Sequence, residues 1–227
     1  MRTKLSLDTG RIALLLIDFQ EEQRRDPRYA VWNFDHVLAN AGKLLNRARG
    51  MEQLIVHTAY RRDFSVCPPR PFEPLSTTGR PAFSDATDPL TAICREVAPL
   101  PSEVVICKND ASAFSEGSLQ PLLKARKIEW LVIAGVWTEA CVAASIRDAM
   151  VFGLRVLLVK DACGSGTGAM HQTAILNIAN RLYGGAVADT QRAMDLMAGK
   201  ESEPWVPERP VPILFSYEDA AEHYAAL

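Results

Sequence analysis

Three residues with complementary chemistry each follow an apolar run of the chain. Asp18, Lys108 and Cys141 could supply a proton acceptor, a cation that lowers the pKa of a thiol, and a nucleophile. Taken singly, each has an ordinary interpretation: a turn-capping aspartate, a solvated lysine and an inert core cysteine. Together they predict a site for covalent catalysis.

Cys141 lies where an apolar run gives way to an amphipathic segment. If Thr138 is the helix N-cap, Cys141 occupies the third helical position, where free N–H groups and the helix dipole favour an anion. We therefore expect a thiol that is partly ionised.

Short apolar runs alternate with helical patterns along the whole chain. This alternation predicts an α/β fold, a three-layer doubly wound sheet of about six mostly parallel strands with helices on both faces. Ligands bind outside the carboxyl ends of such strands, and the three chemical residues follow strands there. We expect the strands at residues 12–17, 53–58, 103–107, 130–134, 155–159 and 186–189.

Length and composition narrow the class of protein. The chain has 227 residues, is 48% hydrophobic and contains no apolar run near 18 residues, which favours one sizeable core and no membrane span. Its 25 basic and 27 acidic side chains form no cluster that could follow a phosphate backbone, so we expect no nucleic acid partner. The polar N-terminus and five unpatterned cysteines predict a reducing, cytoplasmic compartment.

Three blocks of sequence resemble the signature blocks of the isochorismatase-like cysteine hydrolases. They are LLLIDFQ at residues 14–20, VICK at 105–108 followed by SAF at 112–114, and GVWTEACV at 135–142. The resemblance runs from about Arg11 to Thr190, and the family's Asp, Lys and Cys fall on Asp18, Lys108 and Cys141. It implies the isochorismatase-like hydrolase fold and a cysteine that attacks a small amide or ureido carbonyl.

The resemblance also implies how the reaction proceeds. Asp18 would accept the thiol proton and return it to the leaving ammonia or amine, Lys108 would keep the pair charged, and water would open a thioester on Cys141. The oxyanion hole implied by the family consists of backbone N–H groups of Trp137 and Cys141, beside a cis peptide bond between Val136 and Trp137.

We expect neither a metal nor another cofactor. The nicotinamidase branch of the family carries an aspartate and histidines after the second strand, whereas residues 57–63 contain one histidine and no Asp-x-His. The other histidines are scattered, and no Cys/His spacing suits zinc. Nicotinamide is therefore a less favoured substrate.

Residues that adjoin the signature blocks are candidates for binding a small-molecule substrate. Aromatic side chains could wall the pocket, an arginine could clamp a carboxylate or polarise a ureido oxygen, and core packing or solvated surface is the alternative for each. The candidates are Phe19, Gln20, Tyr60, Arg61, Phe114, Trp137 and Thr138. The geometry of the loop 61–89 determines the substrate and stays open at this point.

The remaining segments have simpler interpretations. The glycine-rich stretch 161–171 is predicted to be a flexible loop, and the four other cysteines to be structural or incidental. We expect a hydrolase domain over residues 1–199 and a C-terminal arm over 200–227 at a subunit interface, since members of the family form homo-oligomers, either dimers or tetramers.

Three functions stay open. The first is a cysteine amidohydrolase that acts on a small carboxamide, N-carbamoyl or ureido compound. The others are an isochorismatase-type vinyl ether hydrolase, whose chemistry does not rely on a cysteine nucleophile, and a non-catalytic relative that binds a small ligand. An intact set of Asp18, Lys108 and Cys141 favours the amidohydrolase.

Overall fold

Six parallel strands form one sheet in the order β3-β2-β1-β4-β5-β6 in the computed structural model, which describes residues 1–227. The predicted α/β class and doubly wound sheet are confirmed. The strands are β1 (Ile12–Ile17), β2 (Leu54–Tyr60), β3 (Val104–Lys108), β4 (Trp130–Val136), β5 (Arg155–Gly164) and β6 (Ala186–Ala188). The connections run in opposite directions on either side of the β1–β4 pair, which makes this pair the switch point where a ligand crevice opens.

The central strand β1 shows why the sheet needs helices on both faces. All six of its residues are buried. Leu14 and Leu16 pack in one core cluster, whereas Leu15 and Ile17 pack in a second cluster on the opposite face. A continuous apolar run of this kind is typical of a parallel sheet that is covered on both sides.

Helices α2 and α6 cover one face, and α3, α4, α5 and α7 cover the other. The helices are α1 (Glu22–Arg25), α2 (Phe34–Gly50), α3 (Leu119–Ala125), α4 (Ala143–Val151), α5 (Gly168–Ala179), α6 (Thr190–Met197) and α7 (Ala220–Ala226). None of them combines the length and the apolar character that a membrane crossing requires.

The glycine-rich stretch 161–171 is not the flexible loop that the sequence predicts. Its first four residues extend β5 to Gly164, and Gly168 begins α5. The Thr167 side chain caps this helix by accepting a hydrogen bond from the Met170 N–H. The prediction was wrong because β5 bulges beside β4, where the register shifts between Ile133 and Gly135, and then continues as a strand.

The C-terminal arm packs on its own domain. Trp205 exchanges two backbone hydrogen bonds with Val187 of β6, which adds a short antiparallel bridge to the edge of the sheet. Further along the arm, α7 packs against α5, and Leu227 is buried. Contact of the arm with a second subunit stays a prediction.

Candidate active site

The carboxyl ends of β1, β3 and β4 bring Asp18, Lys108 and Cys141 together. Asp18 follows β1 with a left-handed backbone (φ 56°), a conformation that aspartate adopts more readily than most residues. Lys108 ends β3 at the edge of the sheet, and its side chain reaches back across Tyr60, with Nζ 4.8 Å from the ring centroid. Cys141 stands in a π-helical turn, Thr138–Val142, that leads into α4.

The Lys108 ammonium connects the other two groups. Nζ lies 2.8 Å from Asp18 Oδ2 and 3.3 Å from Cys141 Sγ, and it also donates to the carbonyl oxygens of Asp110 and Ala111. The contact with Asp18 is the shortest of the four, so the carboxylate and the sulfur share one cation.

The two oxygens of Asp18 have different neighbours. Oδ1 accepts a hydrogen bond from Thr58 Oγ1 at 2.7 Å, while Oδ2 is buried and lies 2.8 Å from Lys108 Nζ. The carboxylate is thus held between a hydroxyl donor and the ammonium that also contacts Cys141.

The ionisation of Cys141 differs from the expectation. Burial above all, and next the charge of Asp18, raise the pKa of Cys141 to about 12 against the opposing effect of Lys108. The prediction of a partly ionised thiol was therefore wrong, because the desolvation of the buried thiol outweighs the nearby ammonium. Although burial lowers the pKa of Lys108, its contacts with Asp18 and Cys141 raise it overall, so the ammonium stays protonated. The resting site holds an un-ionised thiol beside a protonated ammonium.

The backbone before Cys141 offers a hydrogen-bond donor. The Val136–Trp137 peptide bond is cis, at the position that the family resemblance implies. The N–H of Trp137 donates to no group of the protein. Thr138 does not cap the helix as predicted, because its hydroxyl bonds with the Gly164 carbonyl and with His171 Nδ1.

A cavity of about 400 Å³ opens above Cys141 and Asp18. Two of the predicted substrate-binding residues, Tyr60 and Trp137, line it. Its other walls include the aromatic side chains of Tyr29 and Phe83 and the polar side chains of Glu22, Gln23, Arg70, Ser84 and Asp110. The cavity has the size and the largely apolar walls of a small-molecule site.

Five predicted substrate-binding residues do not line this cavity. Phe19 packs in the core beside Phe34, with ring centroids 6.3 Å apart, and Phe114 packs against Phe152. Thr138 is fully buried in its hydrogen bonds to neighbouring elements. For these three side chains, core packing prevails.

Gln20 and Arg61 hold the backbone around the site. The Gln20 side chain donates to the carbonyl oxygens of Tyr60 and Thr91 and accepts from the Tyr60 N–H. Its amide group is therefore engaged in hydrogen bonds to the main chain. Arg61 donates to the carbonyl oxygen of Thr91. Gln20 thereby fixes the end of β2 beside Asp18.

The loop 61–89 is fixed by a buried arginine. Arg62 is 1% exposed, and its guanidinium donates to both carboxylate oxygens of Glu73 at 2.6 and 2.7 Å. The same side chain donates to the carbonyl oxygens of Cys67 and Pro68 and to Asn109 Oδ1. A bidentate pair with further partners gives this loop a defined path over the cavity.

One group of side chains has the composition of a metal site. Glu21, Cys94 and Glu96 each offer a ligand atom, and these atoms lie within 4.8 Å of one another. Both carboxylates bond with the guanidinium of Arg24, and none of the three residues lines the cavity. Arg25 also pairs with Glu21, so two arginines offset the charge of the two carboxylates.

Comparison with known proteins agrees with the fold. A family model described as Isochorismatase domain matches residues 12–192. The chain belongs to the isochorismatase family. It is 36% identical to a maleamate amidohydrolase from Pseudomonas putida over an alignment of 195 residues, and this alignment covers 82% of this chain and 88% of that protein.

Other members of the isochorismatase family extend the comparison. The chain is 33% identical to a ureidoacrylate amidohydrolase from Cronobacter turicensis over an alignment of 104 residues, and this alignment covers 45% of this chain and 44% of that protein. A crystal structure of an isochorismatase-family protein from Chromobacterium violaceum aligns with a TM-score of 0.72 at 26% identity, over 87% of this chain and 99% of that one.

The sequence did not reveal several residues that line the cavity of this isochorismatase-family protein. Glu22 and Gln23 belong to α1, directly after the first signature block, where charged residues dominate the pattern. Arg70, Phe83 and Ser84 belong to the loop 61–89, whose prolines have no periodicity. Both segments follow a strand in the sequence, and this position was the signal that could have indicated residues of the cavity.

Proposed function

We propose that the protein is a cysteine-dependent amidohydrolase, which cleaves a small carboxamide, N-carbamoyl or ureido compound and releases ammonia or an amine. The observation that carries the proposal is the contact among Asp18, Lys108 and Cys141 at the floor of the cavity. Family membership and the amidohydrolase relatives support hydrolysis of a carbon–nitrogen bond other than a peptide bond.

The first half of the reaction forms a thioester. The Cys141 proton passes to the Asp18 carboxylate, which lines the cavity beside it, and Sγ attacks the carbonyl carbon. The carbonyl oxygen takes up negative charge and accepts hydrogen bonds from the backbone N–H groups of Trp137 and Cys141. The carbon–nitrogen bond then breaks, and Asp18 returns the proton to the leaving nitrogen.

The second half restores the enzyme. Asp18 accepts a proton from a water molecule, whose oxygen attacks the thioester carbon and displaces Sγ. The displaced thiolate takes the proton back from Asp18, and the product leaves as a carboxylic or carbamic acid. Lys108 stays protonated throughout and stabilises whichever of its two neighbours is charged.

A screen for released ammonia tests the proposal. Purified protein is assayed with maleamate, ureidoacrylate, N-carbamoyl amino acids, biuret and nicotinamide, in parallel with Cys141→Ala. At least one substrate is expected to release ammonia, and the variant to lose about 10³-fold or more of the turnover.

Cys107→Ala is the matched control, because this exposed thiol lies on β3 away from the cavity. It should hydrolyse the same substrate at the parent's rate. Equal activity in the Cys141→Ala variant would disprove the nucleophile assignment. Ligand binding without ammonia release would favour a non-catalytic relative.

A further inference from the structure

Glu22 is a buried carboxyl group that the proposed reaction does not use. It is 5% exposed and lines the same cavity as Asp18 and Cys141. Oε1 accepts a hydrogen bond from Ser84 Oγ at 2.6 Å and lies 3.5 Å from Gln23 Nε2. Oε2 accepts no hydrogen bond from the protein. A carboxylate buried in this way is stabilised only when a donor reaches its free oxygen.

The charges around Glu22 leave it without a cationic partner. Three carboxylates face it from separate elements: Asp18 after β1, Asp26 after α1, and Asp88 at the end of the loop 61–89. Two weak acids of the cavity, Cys141 and Tyr60, are neutral, because burial above all raises the pKa of each to about 12.

The cations near the cavity are already matched. The Arg70 guanidinium lies 2.8 Å from a carboxylate oxygen of Asp110 at the cavity mouth, where both side chains are about half exposed. The Lys108 ammonium pairs with Asp18, and beside Glu22 the guanidinium groups of Arg28 and Arg80 pair with Asp26 and Asp85. Glu22 is therefore a buried carboxyl group without a cation, and it suits a substrate group that donates hydrogen bonds.

Building on the proposed amide hydrolysis, we infer that Glu22 determines specificity by accepting a hydrogen bond from an N–H group of the substrate through Oε2. The substrate class is then a primary amide or ureido compound with a free N–H beside Glu22 and no negative charge there. An analogue that lacks this N–H leaves the buried carboxylate unpaired, which is the arrangement that gives strong discrimination.

Ionisation of Glu22 provides a signature in the kinetics. Burial, with smaller effects of the charges of Asp88, Asp18 and Asp26, raises the pKa of Glu22 to about 7, and the hydrogen bond from Ser84 opposes this rise. The carboxylate is the better acceptor, so KM should fall as the pH rises through about 7.

The kinetic test compares the parent with Glu22→Gln and Ser84→Ala, using the best substrate from the ammonia screen between pH 6 and 8.5. Glu22→Gln should give a KM that is independent of pH and about fivefold to tenfold above that of the parent at pH 8. Ser84→Ala should move the midpoint to higher pH, because a donor to the carboxylate is lost. Glu208→Gln, at an exposed position, should behave as the parent.

A second measurement does not depend on turnover. In Cys141→Ala protein labelled with ¹³C at the glutamate carboxyl carbons, the Glu22 signal is titrated alone, with propionamide and with methyl propionate. Propionamide should lower the Glu22 midpoint, because an N–H donor favours the charged form, whereas the ester should leave it unchanged.

The two proposals fail in different ways. If no substrate releases ammonia, the proposed function fails, and the titration still decides the role of Glu22. An unchanged midpoint with propionamide, or a KM profile of Glu22→Gln that follows the parent's, would overturn the inference and leave amide hydrolysis standing.

Discussion

Replacing Lys108 with methionine tests the geometry at the floor of the cavity through stability alone. The side chains of Lys108 and Asp18 are 0% and 3% exposed, and Nζ lies 2.8 Å from Oδ2. Methionine fills a similar volume, so the loss of charge dominates and leaves Asp18 as a buried carboxylate without a cation. Breaking a buried pair from one side costs about 3 to 5 kcal/mol, which is a large part of the stability of an ordinary domain.

The assay is urea denaturation of four proteins: the parent, Lys108→Met, Asp18→Asn and the double variant. The double variant has no buried charge without a partner. Its free energy of unfolding should therefore be about 1 to 3 kcal/mol higher than the sum of the two single effects predicts. Lys4→Met is the control, because the pair of Lys4 with Glu201 is on the surface, and its midpoint should not move. Additive effects in the double variant would refute the ion pair.

Two further predictions concern the backbone near Cys141 and the pH range of stability. Gly135→Ala should lower turnover about 10²-fold, because a Cβ there would lie 2.5 Å from Ile17 O and would separate β1 from β4. Gly50→Ala is the control, because a Cβ at Gly50 meets open space, and this variant should retain activity in the ammonia assay. Burial lowers the pKa of His171 to about 4, so the folded state favours the neutral imidazole. This preference stabilises the folded state by about 3 kcal/mol above pH 6.5, and the stabilisation is lost as the pH falls toward 4. Urea midpoints measured at pH 7 and pH 4.5 should differ less in His171→Asn than in the parent, and equal differences would contradict this assignment.

The strands and the three chemical residues could be predicted because both depend on short-range patterns. Apolar runs located β1 within its observed bounds, and the rule that ligands bind at strand ends joined Asp18, Lys108 and Cys141 across more than a hundred residues. The ionisation of Cys141 could not be predicted, because it depends on burial and on the distance to Asp18, which no local pattern encodes.

The substrate-binding residues were harder to predict for a related reason. Gln20 adjoins a signature block, yet its amide is engaged by main-chain groups of β2 and Thr91, which only the folded chain brings near. Glu22 and Phe83 line the cavity from segments that differ in pattern and are far apart in sequence. Proximity to a motif was thus a poor guide to contact with the cavity.

The buried pair of Arg62 with Glu73 holds the loop 61–89 together as a structural unit beside the sheet. The strand ends carry Asp18, Lys108 and Cys141, and the loop closed around Arg62 carries Arg70, Phe83 and Ser84 as a wall of the cavity. We expect mutations in that loop to change the shape of the cavity without moving any strand. Under the proposed function, exchange of the segment between Arg62 and residue 89 is a route to new selectivity that is open to evolution and to protein engineering alike.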